Sequence, residues 1–163
     1  MGLHSEYMPD SILAIDPGQT GAVAWNADGT LYVEHLQNDP QAFVDQIRRI
    51  GISDSKVYME DVGYGRPGTN VKSVTTFSRH CGMLVGAITA MGLPTTYVRP
   101  QVWMRREFPD RPTGDDVVTL RKLYILEECE RWVADIGLEL HEDSILDINT
   151  ADSVGILKYG FGL

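Results

Sequence analysis

Three acidic residues fall where this chain's apolar segments end: Asp16 closes the run Ser11-Ile12-Leu13-Ala14-Ile15, Glu60 closes Lys56-Val57-Tyr58-Met59, and Asp152 lies in Asn149-Thr150-Ala151-Asp152 near the C-terminus. Asp16 is followed at once by Pro17-Gly18-Gln19-Thr20-Gly21. That turn has little side-chain bulk, so an anion or a metal-bound phosphate can come close to the carboxylate. Asn149 and Asp152 are three positions apart, a spacing that projects both side chains from one face of a helix. Hard oxygen donors with no Cys or His beside them select Mg²⁺, with Mn²⁺ as a substitute. Two such ions roughly 4 Å apart stabilise the attacking water and the leaving oxygen of a phosphodiester. Taken singly, each acid reads as a turn former or a helix cap. Only in combination do they point to a site, and only if their strands are neighbours and the last helix packs across the strand ends.

The elements that must bring them together can be read from periodicity and punctuation. Ser11 to Asp16 reads as a buried strand, Gly21 to Trp25 as a second, and Thr30 to Leu36 as a third that alternates at Leu31, Val33 and His35. With Asn26-Ala27-Asp28-Gly29 as the turn between the last two, these make an antiparallel meander. Asp39-Pro40 starts a helix whose Phe43, Val44, Ile47 and Ile50 share a face before Gly51 ends it. Lys56 to Glu60 is then a fourth strand, parallel to a strand of the meander because a helix separates them. Ser73 caps a long helix with Phe77, Cys81, Leu84, Val85 and Ile88 on one stripe, and Thr95 to Arg99 is a fifth strand. Pro100 to Phe108 is a short helix, Asp116 to Ala134 a longer one, and Asn149 begins the last. The expected fold class is α/β: a mixed five-stranded sheet with helices packed on it, in a single domain over residues 1–163 with a flexible stretch over 1–10.

A chain of 163 residues with 43% hydrophobic content can bury one substantial core. No apolar run is long enough to span a membrane and no signal pattern opens the chain, so the expected location is the cytoplasm. Cys81 and Cys129 show no zinc spacing and read as free thiols. The net charge of −9 argues against a nucleic-acid partner until its distribution is considered. From Gly63 to Lys122 there are nine Lys and Arg against four acids, so this middle stretch carries +5 and the remainder −14. On charge alone, a solvated surface with uneven charge remains the better reading.

The order of these motifs resembles the RuvC-like Holliday junction resolvases of the ribonuclease H-like superfamily, especially their short phage and prophage members. The resemblance runs through Ile12-Leu13-Ala14-Ile15-Asp16-Pro17-Gly18, Met59-Glu60, Gly68 with Ser73 and Phe77, and the Gly82/Gly86 helix. It continues through Gly92-Leu93-Pro94, Val98-Arg99-Pro100-Gln101-Val102-Trp103 and Thr150-Ala151-Asp152-Ser153-Val154. It implies a ribonuclease H-like fold and a homodimeric endonuclease that cuts four-way (branched) DNA in recombination, repair or phage DNA processing. It also implies two Mg²⁺ ions held by four acids. Carried over position by position, Asp16, Glu60 and Asp152 match three of these, and Asn149 stands where the family pattern has a carboxylate. The missing charge should weaken binding of the second ion and slow hydrolysis. Asp147 is a geometrically poorer substitute.

The loop after Glu60 carries Tyr64 and Arg66, which the resemblance places near the junction centre, where a ring can stack on an unpaired base. An exposed loop tyrosine is an equal reading. Lys72, Arg105, Arg106, Arg121 and Lys122 are candidate phosphate contacts, though for any single one a solvated helix face is the safer reading. Trp103 reads as core, and His80 as a packing or hydrogen-bonding residue. Gly82 and Gly86 lie four apart on the long helix and fit either close packing on its own sheet or a subunit contact. Two rivals to a nuclease remain open. One is a branched-DNA-binding protein without catalysis, suggested by Asn149. The other is an ATP-binding fragment of the actin and sugar-kinase type, suggested by Asp16-x-Gly18-x-Thr20 but disfavoured by a chain too short for two lobes.

Overall fold

The computed structural model describes residues 11–18, 20–51, 56–62 and 70–162. Along the chain run β1 (Ile12–Asp16), β2 (Ala22–Ala27), β3 (Thr30–His35), α1 (Pro40–Ile50), β4 (Lys56–Glu60), α2 (Val71–Ala90), β5 (Thr95–Val98), α3 (Pro100–Glu107), α4 (Val118–Asp135), β6 (Glu139–Leu140) and α5 (Ala151–Phe161). The strands form one mixed sheet in the order β5-β4-β1-β2-β3-β6. β1, β2 and β3 are the expected antiparallel meander, while β4 runs parallel to β1 and β5 parallel to β4.

The unbroken apolar run of β1 has a simple cause: both faces of the sheet are covered. Ile12 and Ala14 point into a core shared with Trp103, Phe108, Ile125, Val154 and Leu157 from α3, α4 and α5. Leu13 and Ile15 point the other way, onto Phe43 and Ile47 of α1 and Leu84 and Ile88 of α2. Alternate residues of one strand therefore serve two cores. α1 is held at its start by Asp39 Oδ1, which accepts the Ala42 N–H at 3.0 Å. It is closed by Gly51 in the left-handed region at φ 74°.

The structure departs from the sequence reading at several element ends. The sheet gains a sixth strand, the two-residue β6, parallel to β3. Two residues carry no period, but here the Tyr32 ring is sandwiched between Trp25 (4.9 Å) and His141 (4.7 Å), and the His141 N–H bonds to Leu31 O. β2 extends through Asn26 and Ala27, because Asn26 is buried and its Oδ1 accepts the Ile12 N–H at 2.9 Å. The hairpin turn is then Asp28-Gly29 alone, both with positive φ. α2 begins two residues before Ser73, capped by Asn70, whose Oδ1 accepts the Lys72 N–H. α4 starts at Val118 rather than Asp116.

α5 starts at Ala151, so Asn149 precedes the helix and does not sit on its face. Asp147 is the reason. Its Oδ1 accepts the N–H groups of Asn149 (2.7 Å) and Thr150 (3.2 Å), while Thr150 Oγ1 accepts the Asp147 N–H at 2.9 Å. This reciprocal cap closes a turn ahead of the helix.

Gly82 and Gly86 are exposed, with nothing within 4 Å of where a Cβ would stand, so they do not seat α2 on its own sheet. Close approach occurs instead on α5. A Cβ on Gly155 would lie 2.7 Å from the Trp103 ring, and one on Gly160 would lie 2.9 Å from the Tyr58 ring. Both cysteines are free thiols, and among the described residues no helix is long and apolar enough to cross a membrane. The N-terminal stretch 1–10 lies outside the described residues.

Candidate active site

Strand register brings Asp16 and Glu60 together. β1 and β4 run parallel with Ile15 opposite Met59, so the next residue on each strand, Asp16 and Glu60, falls at the same sheet edge. By the two-residue period both share the face of Ile12, Ala14 and Tyr58, the face that α5 covers. Asp152, in the first turn of α5, completes the group.

The turn after Asp16 is shaped by what it excludes. A Cβ on Gly21 would stand 2.2 Å from Asp16 O and 3.0 Å from Gly18 N and O, so only glycine lets the chain fold back beneath Asp16. The Gly21 N–H donates to Gly18 O at 3.1 Å, and Gly18 adopts φ 144°.

Three carboxyls enclosed in one place repel ionisation. Burial, then the charges of Glu60 and Asp152, hold Asp16 well above the ordinary range for an aspartate. Burial is also the main cause at Glu60, pushed up to about 7, with Asp152 adding to it. Asp16 and Glu60 lie close enough for their carboxyl groups to act directly on each other. Asp152 is raised by burial against the opposing pull of Lys122 and Arg121. Glu60 is 7% exposed and has one fixed partner, the Trp103 indole N–H, which donates to its Oε1 at 3.1 Å. That bond favours the carboxylate.

Asp16 and Asp152 line a cleft of about 640 Å³ together with residues that include Gly18, Lys72, Phe77, Lys122 and Asn149, and Glu60 lies buried behind Asp16. The donor chemistry suits a hard divalent cation: enclosed oxygens whose mutual repulsion a cation would relieve. No three His, Cys, Asp or Glu among the described residues form a ready-made cage around a single point. The three acids act on one another, Asp16 feeling both others and Glu60 feeling Asp152.

Of the residues singled out in the sequence, Asp16, Asn149, Asp152, Lys72 and Lys122 line this cleft, and Glu60 adjoins Asp16 and Asp152. Arg121 is close enough to act on Asp152, and its Nη1 donates to Gly114 O at 3.4 Å. Arg105 is exposed on α3, beside a separate shallow hollow. Arg106 is engaged within the protein, paired with Glu107 at 3.1 Å and lying over the Tyr159 ring at 4.7 Å, where it fastens α3 to α5. Asp147 spends an oxygen on its turn. Tyr64 and Arg66 lie outside the described residues. Trp103 is fully buried, as read, but its hydrogen bond to Glu60 has no sequence signal because the two are 43 positions apart. Cys81 was likewise not singled out for this place: burial and the nearby Glu60 and Asp16 charges push its thiol up to about 11.

Neither a family model nor a curated protein matches the sequence. Solved structures do match its shape. The Thermus thermophilus RuvC in complex with a Holliday junction substrate aligns with a TM-score of 0.57 at 16% identity, over 93% of this chain and 94% of that one. The fold is that of the RuvC-type Holliday junction resolvases. A second T. thermophilus RuvC structure gives a TM-score of 0.52 at 14% identity, again over 93% and 94% of the two chains. The yeast mitochondrial Holliday junction resolvase gives 0.52 at 14% identity, over 96% of this chain and 80% of its own. The RuvC-like frame thus extends across nearly the whole chain, and the acid cluster lies at one edge of it.

Proposed function

We propose that this protein is a structure-specific DNA endonuclease that hydrolyses phosphodiesters in four-way or related branched junctions, in DNA recombination, repair or phage DNA processing. The observation that carries the reading is the meeting of Asp16, Glu60 and Asp152 at one sheet edge, where Asp16 and Asp152 line a cleft that also holds Lys72 and Lys122. Asp16, which lies next to both other acids, would hold two Mg²⁺ ions (or Mn²⁺), with Glu60 and Asp152 holding one each and the Asn149 amide oxygen as a weak further donor. Bound divalent cations supply an activated water and stabilise the leaving oxygen, giving a 5′-phosphate and a 3′-hydroxyl.

The protein's own groups do the rest. Trp103 fixes the Glu60 carboxylate by donating its N–H to Oε1. Lys72 and Lys122 draw the backbone phosphates of the substrate toward the acids. A homodimer built on the open Gly82/Gly86 face of α2 would set two sites a fixed distance apart, matching a branched junction better than a linear duplex.

The test is a Mg²⁺-dependent nicking assay on a synthetic four-way junction beside a linear duplex of the same sequence, for the native chain and Asn149→Asp. Asn149→Asp is expected to cut at least tenfold faster, because it returns a full charge to the site. Asn149 favours a second reading, a branched-DNA-binding protein without catalysis. Tight junction binding with no nicking by either form would select it.

A further inference from the structure

The cleft that holds Asp16 and Asp152 adjoins a second hollow of about 650 Å³, and Thr20, Thr76 and His80 line both. One wall of the second hollow is a stripe of α2, Thr76, Arg79, His80 and Met83, whose spacing turns all four to one side of the helix. Asn38 and Pro40, where α1 begins, form the other. No acid lines it. Asp39 lines the next hollow along α2, beside Gly82 and Gly86, and its Oδ1 is committed to the Ala42 N–H. Arg79 is exposed, and among the described residues its guanidinium closes no ion pair. His80 is half-buried, and its enclosed Nε2 is, among the described residues, the one buried side-chain polar atom without a hydrogen-bond partner. Such an atom weakens the fold until it finds one.

The two hollows differ in charge. In the first, Lys72 and Lys122 share their field with Asp16, Asp152 and the adjoining Glu60. In the second, Arg79 lies among hydroxyl, amide and imidazole groups, so the ligand it suits is an anion with several oxygen acceptors. We propose that this hollow is an oxyanion subsite that seats a flanking phosphate of the strand being cut, with Arg79 pairing with its oxygens and the Thr20 and Thr76 hydroxyls donating to them. A turn of the imidazole about its Cβ–Cγ bond, a soft torsion, brings the His80 nitrogen to the same group and gives it the partner it lacks. The strand thus leaves the acids along the α1 side of α2 and not over α3, where Arg106 is spent on Glu107 and Tyr159. The inference rests on the nuclease reading above and specifies where that site holds the rest of its substrate.

The experiment measures binding of a fluorescent four-way junction, with Ca²⁺ in place of Mg²⁺ to hold back cutting, by the native chain, Arg79→Gln, Arg79→Lys and a charge control, Arg48→Gln in the last turn of α1. Light scattering and far-UV circular dichroism check that each variant keeps the native assembly and fold. Arg79→Gln should bind on the order of tenfold more weakly, with the slope of log Kd against log salt reduced by about 1. Arg79→Lys should keep most of that slope, and Arg48→Gln all of it. Junctions carrying a single neutral methylphosphonate at successive positions beside the cut locate the contact. One of these linkages should weaken the native chain as much as Arg79→Gln does, and weaken Arg79→Gln no further. Equal affinity of the native chain and Arg79→Gln, or equal sensitivity of both to every neutral linkage, overturns the inference and leaves the nuclease reading intact. Loss of inorganic phosphate binding in Arg79→Gln with junction binding unchanged overturns it as well, and assigns the hollow to a free anion. A native chain that neither binds nor nicks the junction brings down the nuclease reading and this inference together.

Discussion

Gly155→Ala tests the packing that fixes the active-site carboxylates. In the first turns of α5, the new methyl would stand 2.7 Å from the Trp103 ring and 3.0 and 3.4 Å from two atoms of Phe108. Carbon atoms rest about 3.5–4.0 Å apart, so two of these contacts are overlaps of half an ångström or more. Neither ring can swing aside without disturbing its neighbours. Both are fully buried, and they pack edge to face on each other at 5.9 Å. Overpacking of this kind costs about 1–3 kcal/mol, against a gain of up to about 1 kcal/mol from replacing a helical glycine by alanine. The expected net loss is about 1–2 kcal/mol, or a fall in Tm of roughly 2–8 °C for a domain of this size.

The relaxation route carries the functional consequence: Trp103 must move, and its N–H leaves Glu60 Oε1. Junction cleavage should therefore fall further than the lost stability alone explains. In a double-mutant cycle read by thermal and urea unfolding, Trp103→Phe should relieve the clash, with a coupling of about 1 kcal/mol or more between the two sites. A Gly155→Ala protein as stable as the native one, or a coupling near zero, would refute the reasoning.

Trp103→Phe alone removes the hydrogen bond to Glu60 and should cost about 1.5–3 kcal/mol, the usual worth of a bond to a charged group, measured by urea unfolding at pH 8. A pH dependence follows from Glu60. Its carboxyl is raised by burial from 4.5 to about 7, so between those values the folded chain keeps a proton the unfolded chain has lost. Stability of the metal-free protein is therefore greatest below pH 4.5 on this account and falls as the pH rises through 7, by roughly 3 kcal/mol from this group. Glu60→Gln should reduce that slope, to which the raised Asp16 and Asp152 also contribute, and a flat melting profile between pH 5 and 8 in EDTA for the native chain would contradict it. Gly86→Leu places a side chain where nothing lies within 4 Å, so the isolated chain should fold normally. If α2 forms the proposed homodimer contact, light scattering should find this variant monomeric and the native chain dimeric.

Much of the frame was legible in the sequence because it rests on local rules. The meander, the Asp39-Pro40 helix start and the Gly51 stop depend on residues within a few positions of each other, and each is where its turn chemistry puts it. The apolar run ending in Asp16 also marked a central strand, since only a sheet covered on both faces asks for Ile12 to Ile15 without alternation. The ends of elements were less legible. β6 exists because Tyr32 and His141 stack across it, and α5 is shortened because Asp147 caps the turn before it.

Residue type and order determined which carboxylates were available, and the absence of a charge at 149. Tertiary structure alone decided that Asp16 and Glu60 act on each other, that Trp103 holds Glu60, that Arg106 is spent on Tyr159 while Lys122 faces the acids, and that Gly82 and Gly86 are open. The physical reason is distance along the chain. A cap or a turn is settled within one stretch of backbone, whereas the electrostatics of the cleft arise from groups on β1, β4, α3, α4 and α5, which meet only after the sheet has set their register and α5 has packed across its edge.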